Sequence, residues 1–272
     1  MKKFISLIII TINSLNTFPN DFYFSKGSDA TGMGNAYISR TGLSSAFHNQ
    51  AGLTEINSIQ FLVNCENRFL LKDVNSLNLL MALPATTGNF AMHTDFTGNI
   101  QNYNSRIGVA YSKKLTKKLY SGLQMNFLLS CYSENNKNYS WETGLELGFI
   151  YQFSELTSCG IHVSNPYNLR LSKNNNNPVE SICIRGGFHT KYSEYFIVAL
   201  EAEYKNNTKL NLKAGIESEV RGELTIRGGI NTYPFSLYGG IGLKRSAYKL
   251  DISLAYYPVP GLCPSLTLIF SK

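Results

Sequence analysis

Charge is scarce in this chain of 272 residues. Asp, Glu, Lys and Arg make up 16% of it, against roughly 25% in an ordinary globular protein. That shortage excludes a coiled coil and a charged disordered tail. Eight prolines and 22 glycines exclude a collagen. No stretch reaches the ~18 consecutive apolar residues of a membrane-spanning helix, and the mean hydropathy of −0.12 excludes a bundle of such helices. Five cysteines show no C-x-x-C, and their odd number argues against a disulfide framework; they read as small apolar fillers. None follows the N-terminal apolar run, so no lipoprotein anchor is expected.

Catalytic signatures are also missing. The four histidines, His48, His93, His162 and His189, include no pair at i, i+4 with a Glu between, as zinc hydrolases require. No Gly-x-Ser-x-Gly elbow occurs. Gly32 and Gly34 lack the strand–GxGxxG–helix setting of a phosphate loop. His93 and Asp95 share a strand face, but nothing nearby in sequence completes a triad. No enzymatic activity, cofactor or metal is expected. The net charge of +7 is scattered or paired in loops, as in Lys113-Lys114 and Lys117-Lys118. Without a stripe of basic residues interleaved with aromatics, no nucleic-acid partner is expected.

What the sequence has in plenty is Gly, Phe and Tyr, arranged with a period of two. In the segment 248–257, Tyr248, Leu250, Ile252, Leu254 and Tyr256 alternate with Lys249, Asp251, Ser253 and Ala255. Successive side chains of a strand point to opposite faces, so one face is apolar and the other polar. The same pattern marks about fourteen segments: 59–68, 75–83, 88–96, 105–113, 119–132, 140–153, 156–164, 180–190, 195–204, 209–218, 223–231, 235–243, 247–257 and 265–271. Many reach the ~9–11 residues that a tilted strand needs to cross a bilayer.

The connections alternate in the first half of the chain. Long ones are expected near 69–74, 97–104, 133–139 and 165–179, and short ones at 84–87, 114–118 and 154–155. Later connections are uniformly short. Outer-membrane barrels pair short periplasmic turns with longer outer loops, which places both chain ends in the periplasm. The loop with Lys173 and the Asn174–Asn177 run is polar and expected to be mobile. Residues 1–20 read as a signal peptide, with Lys2 and Lys3 before an apolar run from Phe4 to Ile12.

A soluble β-sandwich also alternates, but its polar strand face meets water and carries abundant Lys, Glu and Thr. Here that face is rich in small residues, among them Gly108, Ala110, Gly122, Gly144, Gly148, Gly187, Gly229, Gly240 and Gly242. Small side chains suit the crowded inward face of a closed barrel. Aromatics at strand ends (Tyr103, Tyr132, Tyr139, Trp141, Phe153, Tyr192, Tyr204, Tyr256 and Tyr257) suit interfacial girdles. Together these features predict a closed antiparallel transmembrane β-barrel of about 14 strands, residues 58–272, in the outer membrane of a Gram-negative bacterium. A secreted soluble β-protein is the weaker alternative.

Charges on the polar face would line the lumen. The candidates are Arg106, Glu142, Glu146, Arg185, Glu201, Lys213, Arg227 and Asp251, with Glu203, Glu217 and Lys249 beside them. Both signs occur, so they read first as ion pairs that fill and stiffen the interior, and second as a polar path. His93 and His189 read as hydrogen-bonded lumen residues.

Residues 27–57 do not alternate. Gly27, Gly32, Gly34, Gly42 and Gly52 break them into turns around a possible short helix, Ser44 to Asn49, and the segment 21–57 is expected to fold into the lumen as a plug. The runs Ala30-Thr31-Gly32-Met33-Gly34-Asn35-Ala36-Tyr37 and Ser45-Ala46-Phe47-His48-Asn49-Gln50-Ala51-Gly52-Leu53 resemble the "GMGGA" and "NPAGL" boxes that open FadL-type and PorV/PorQ-type outer-membrane proteins. The stretches Leu224–Thr232 and Tyr256–Gly261 resemble barrels of this group in type IX-secreting bacteria. Asn35 and Gln50 depart from the boxes. The resemblance implies fourteen strands, a luminal N-terminal segment, and one of two roles. The first is that of a structural or interaction partner in outer-membrane protein secretion or assembly. The alternative is passage of small hydrophobic compounds, with Met33, Tyr37, Leu43, Phe47 and Leu53 as candidate pocket residues around a small hydrophobic ligand. Outer-membrane lipid would surround either one.

Overall fold

The computed structural model describes residues 24–133, 137–166, 182–193, 195–206, 208–220 and 222–272. The expected signal peptide, the start of the plug segment and the Lys173 loop lie outside them. Fourteen antiparallel strands close into a single barrel. They are β1 (Gln60–Asn67), β2 (Asn75–Ala85), β3 (Gly88–Gly98), β4 (Tyr103–Lys114), β5 (Leu119–Ser133), β6 (Lys137–Gln152) and β7 (Thr157–Ser164), followed by β8 (Cys183–Ser193), β9 (Phe196–Lys205), β10 (Asn211–Val220), β11 (Leu224–Thr232), β12 (Phe235–Arg245), β13 (Tyr248–Tyr256) and β14 (Leu262–Ser271). Every strand pairs with its sequence neighbour, and β1 meets β14 from Gln60↔Ser271 to Glu66↔Ser265. Closure is what hydrocarbon demands, because each backbone group left unpaired there costs several kcal/mol.

The two faces of the wall follow the alternation. In β13, Ile252 is 53% exposed and points outward, while neighbouring Asp251 is 0% exposed and points inward. The pattern recurs with Phe61, Met92, Val109, Phe149, Leu237 and Leu268 outside. Polar side chains such as Asn64, Asn78, Asp95, Gln124 and Thr267 are buried inside. Large apolar groups facing away from a polar interior reverse the arrangement of a water-soluble protein, and the outward band fits lipid.

The rim that carries Gln60 and Ser271 is here called proximal. Its connections (86–87, 115–118, 153–156, 194–195, 221–223 and 246–247) never exceed four residues, whereas the distal connections include 68–74 and 165–182. Two expected distal loops are corrected. Strand takes up half of 97–104 and the ends of 133–139, because β3 runs to Gly98, β4 starts at Tyr103, and β5 and β6 stay paired out to Ser133↔Lys137. The ladder continues because each added pair satisfies backbone groups that a loop would leave to water.

Residues 24–56 lie inside the ring. They form one helical turn, Ser28–Gly32, and two 3₁₀ segments, Leu43–Phe47 and Gln50–Glu55. The helix expected over 44–49 is therefore two 3₁₀ pieces broken at His48-Asn49. Asn49 makes the break: its side chain caps the second piece by accepting the Ala51 N–H at 3.2 Å. Its Nδ2 also donates to the Ile38 carbonyl at 2.8 Å. On the proximal side Leu43, Ala46, Phe47, Leu53 and Ile56 pack with Leu62, Leu80 and Ile269 of the wall into an apolar cluster.

Candidate functional site

The inner segment is seated by contacts that no single stretch of sequence announces. The Ser28 N–H donates to Thr267 Oγ1 at 2.7 Å, and Ser28 Oγ meets Ser265 Oγ at 2.8 Å. Thr267 donates onward to Asn64 Oδ1 (2.6 Å), Asn64 Nδ2 to Asn78 Oδ1 (2.7 Å), and Asn78 Nδ2 to Asp95 Oδ1 (2.6 Å). Arg106 Nε closes on Asp95 Oδ2 at 2.7 Å. This row of inward side chains spans β14, β1, β2, β3 and β4. The backbone also comes very close to the wall. A side chain on Gly229 would overlap the amide of Gly34, and one on Gly122 would overlap Gln50 and Ala51. Inward glycines at these points are the footprint of the segment.

Three charged clusters complete the interior. Arg227 bonds Asp251 Oδ1 and Glu217 Oε2, each at 2.6 Å, and Arg40 of the inner segment reaches Glu217 Oε1 at 2.8 Å. Lys249 bridges Asp251 (3.1 Å) and Asp29 (3.4 Å). Lys213 bonds Glu201 Oε1 and Glu203 Oε2, each at 2.8 Å. Around Glu146, the side chains of Gln50 (2.7 Å), Asn126 (2.6 Å) and His162 (3.0 Å) converge. Arg185 Nη2 reaches His162 Nδ1 at 2.9 Å and the His48 carbonyl at 2.7 Å. A guanidinium can only donate, so His162 Nδ1 accepts and its Nε2–H donates to Glu146.

Seven of the eight lumen candidates fall into these contacts: Arg106, Glu146, Arg185, Glu201, Lys213, Arg227 and Asp251. The eighth, Glu142, stands on the distal part of β6, half-exposed and away from the three clusters. The pocket candidates Met33, Tyr37, Leu43, Phe47 and Leu53 are all buried. Of these, Phe47 faces open space, Leu43 and Leu53 lie in the proximal cluster, Met33 packs with Ala36 and Ala199, and Tyr37 lies against His48. His93 sits 3.0 Å from Asp95 and His189 3.1 Å from Ser39 Oγ.

The open space is a cavity of about 230 Å³ on the distal side of the segment. Phe24, Lys26, Asn35 and Phe47 of the segment face it. Strand residues Arg106, Arg185, Lys205 and Lys213 bring cations, and Glu146 and Glu203 bring carboxylates. Tyr238 and Tyr257 form an aromatic side wall, with ring centroids 6.2 Å apart. Tyr257 was expected in the outer girdle. Instead it turns inward, because it follows outward-facing Tyr256 in the alternation, and its ring packs edge-on to Phe69. Burial, then the charge of Arg185, pushes the Lys26 ammonium down to about 7. Nothing in the sequence marks Lys26, Asn35 or Asn165 for this site, whereas parity alone places Asn211 and Tyr238 on the inward face.

No protein-family model matches the sequence, and no curated protein is significantly similar to it. Among solved structures, the chain is similar to the CymD monoaromatic hydrocarbon channel, with a TM-score of 0.69 at 14% identity over 92% of this chain and 99% of that one. It is similar to the Pseudomonas putida toluene transporter TodX, with a TM-score of 0.70 at 11% identity over 92% and 97%. A Pseudomonas aeruginosa FadL homologue gives 0.63 at 10% over 92% and 99%. At these identities the likeness is one of fold. It agrees with the FadL-type half of the resemblance in sequence and gives the PorV/PorQ half no support.

Proposed function

We propose that the protein is an outer-membrane barrel through which small hydrophobic compounds pass, with residues 21–57 as the plug of its lumen. The observation that carries this reading is the shared fold with hydrocarbon channels, joined to a segment that crosses the interior on polar contacts. Short proximal turns suit a periplasmic rim, so the distal cavity faces outward. A solute entering there meets the segment, and passage requires it to shift. Beside apolar packing and ion pairs, its seat includes exchangeable hydrogen bonds such as Ser28 to Thr267, which water or a new pairing can replace at modest cost. No catalytic step or cofactor enters this reading.

The test is a lock on the segment. Ser28→Cys with Ser265→Cys, in a chain freed of its five other cysteines, joins the helical turn to β14 where the two hydroxyls now touch. The readout is uptake of radiolabelled toluene by Gram-negative cells lacking other hydrocarbon channels. Expression of the reduced pair should raise uptake, and oxidation should abolish the gain. Equal uptake with and without the protein overturns the reading.

A second reading, as a structural or interaction partner in outer-membrane secretion or assembly, is supported by the β5–β6 hairpin. β6 pairs with β7 only over Glu146–Gln152, so the distal part of the hairpin continues past that ladder. Copurification of a defined complex from native membranes, lost when the hairpin is shortened, tests it.

A further inference from the structure

Arg185 is 4% exposed and lines the distal cavity, yet among the described residues it forms no salt bridge with a carboxylate. Its Nη2 is committed to two neutral acceptors, the His48 carbonyl and His162 Nδ1. Among the described residues its Nε and Nη1 have no hydrogen-bond partner. A buried guanidinium with two nitrogens left short of hydrogen-bond partners is costly unless something supplies them. The other strand cations differ. Lys213 has Glu201 and Glu203, and Arg106 has Asp95. Lys26, from the inner segment, faces the same cavity.

The geometry also says which kind of anion fits. A guanidinium has two forks for planar, two-point binding of a carboxylate, and each fork uses Nη2. With Nη2 occupied, both forks are closed. The donors that remain, Nε and Nη1, point along different edges, so an anion meets Arg185 by a single-point bond, which suits an oxyanion with acceptor oxygens on every side better than a planar carboxylate. Asn211, which also lines the cavity, can add a neutral hydrogen bond from its Nδ2 to a further oxygen. We propose that the distal cavity is a binding site for a phosphate-class oxyanion, a phosphate or phosphate monoester, held by Arg185 and Lys26. The site lies in the same distal cavity by which a solute would enter, but binding of the anion does not depend on that passage.

The experiment is calorimetric titration of the full folded barrel in detergent with inorganic phosphate, with sodium acetate as the planar comparison. Phosphate should bind measurably and acetate at least tenfold more weakly. Arg185→Met should weaken phosphate binding at least tenfold, and Lys26→Met several-fold. Heat-dependent mobility on gels checks that each variant is folded. Should Arg185→Met not fold, Lys26→Met decides alone, since Lys26 belongs to no strand. Two sources of the group are separated by glycerol phosphate and a short-chain phosphatidic acid. Competition by glycerol phosphate assigns a soluble ester, and competition by the lipid alone assigns a headgroup; both support the site. Absence of phosphate binding, binding of acetate equal to phosphate, or indifference of binding in the folded variants to Arg185 and Lys26 overturns it.

Discussion

Ile38 donates its backbone N–H to Glu201 Oε2 at 3.1 Å, and the preceding N–H of Tyr37 reaches the same oxygen at the same distance. One wall carboxylate thus holds two consecutive amides of the inner segment, while its other oxygen holds Lys213. Removing it strands two donors and half-uncovers a buried cation. Glu201→Leu should cost about 3–5 kcal/mol, the usual penalty for breaking a buried pair from one side. Glu201→Gln, which keeps an acceptor, should cost less. Denaturant unfolding in detergent measures both. Limited trypsin digestion should cut after Arg40 in the Leu variant first, since Arg40 is otherwise held against Glu217.

The wall glycines should divide by face. Gly229 abuts Gly34 on the inside, whereas Gly239 faces outward with nothing within 4 Å of an added Cβ. Gly229→Ala should cost about 1–3 kcal/mol through overpacking, and Gly239→Ala should change stability by no more than about 0.5 kcal/mol. Folding yield into vesicles and unfolding midpoints compare the two directly.

Lipid-facing positions should be sensitive to depth. Ile252 lies at the middle of β13 and Tyr256 at its end, both pointing outward. Ile252→Arg should cost about 2–4 kcal/mol and Tyr256→Arg about 0–1, following the depth dependence of cations on barrel exteriors. Reversible folding into vesicles supplies the measurement.

Lys26 should make stability depend on pH. Its folded pKa of about 7 lies below the ordinary 10.5, so between these values the unfolded chain binds more protons. Stability therefore rises with pH across that window, and below pH 7 the full cost of burying the cation is present. Lys26→Met removes this cost. The variant should exceed the parent most at pH 6, and the gap should shrink toward pH 10. Urea midpoints in phosphate-free buffer at pH 6, 8 and 10 test the sign.

The barrel was legible because lipid on one side and a crowded polar lumen on the other impose a strict period of two, as in Leu250 through Tyr256. Parity alone placed Arg185, Glu201 and Lys213 inside. Their partners were not legible, because Glu201 meets Tyr37 across 164 residues, and no local pattern encodes that pairing. The candidate site fared unevenly for the same reason. Its cations came from strands and could be read, but Lys26 and Asn35 come from a segment with no period. Its apolar residues Leu53 and Met33 are buried, Leu53 among Leu43 and Phe47 and Met33 against Ala36 and Ala199. A buried Met touches neighbours whether or not a ligand exists, so composition cannot separate packing from a pocket.

The strand β14 both seals β1 from Gln60 to Glu66 and receives Ser28 on Thr267 and Ser265. The helical turn of the inner segment is thus anchored by the strand that closes the ring. Until that strand arrives, the first strand keeps an open edge and the interior has no fixed occupant. A chain cut before Leu262 loses both at once, so closing the ring and seating its occupant are a single event of assembly.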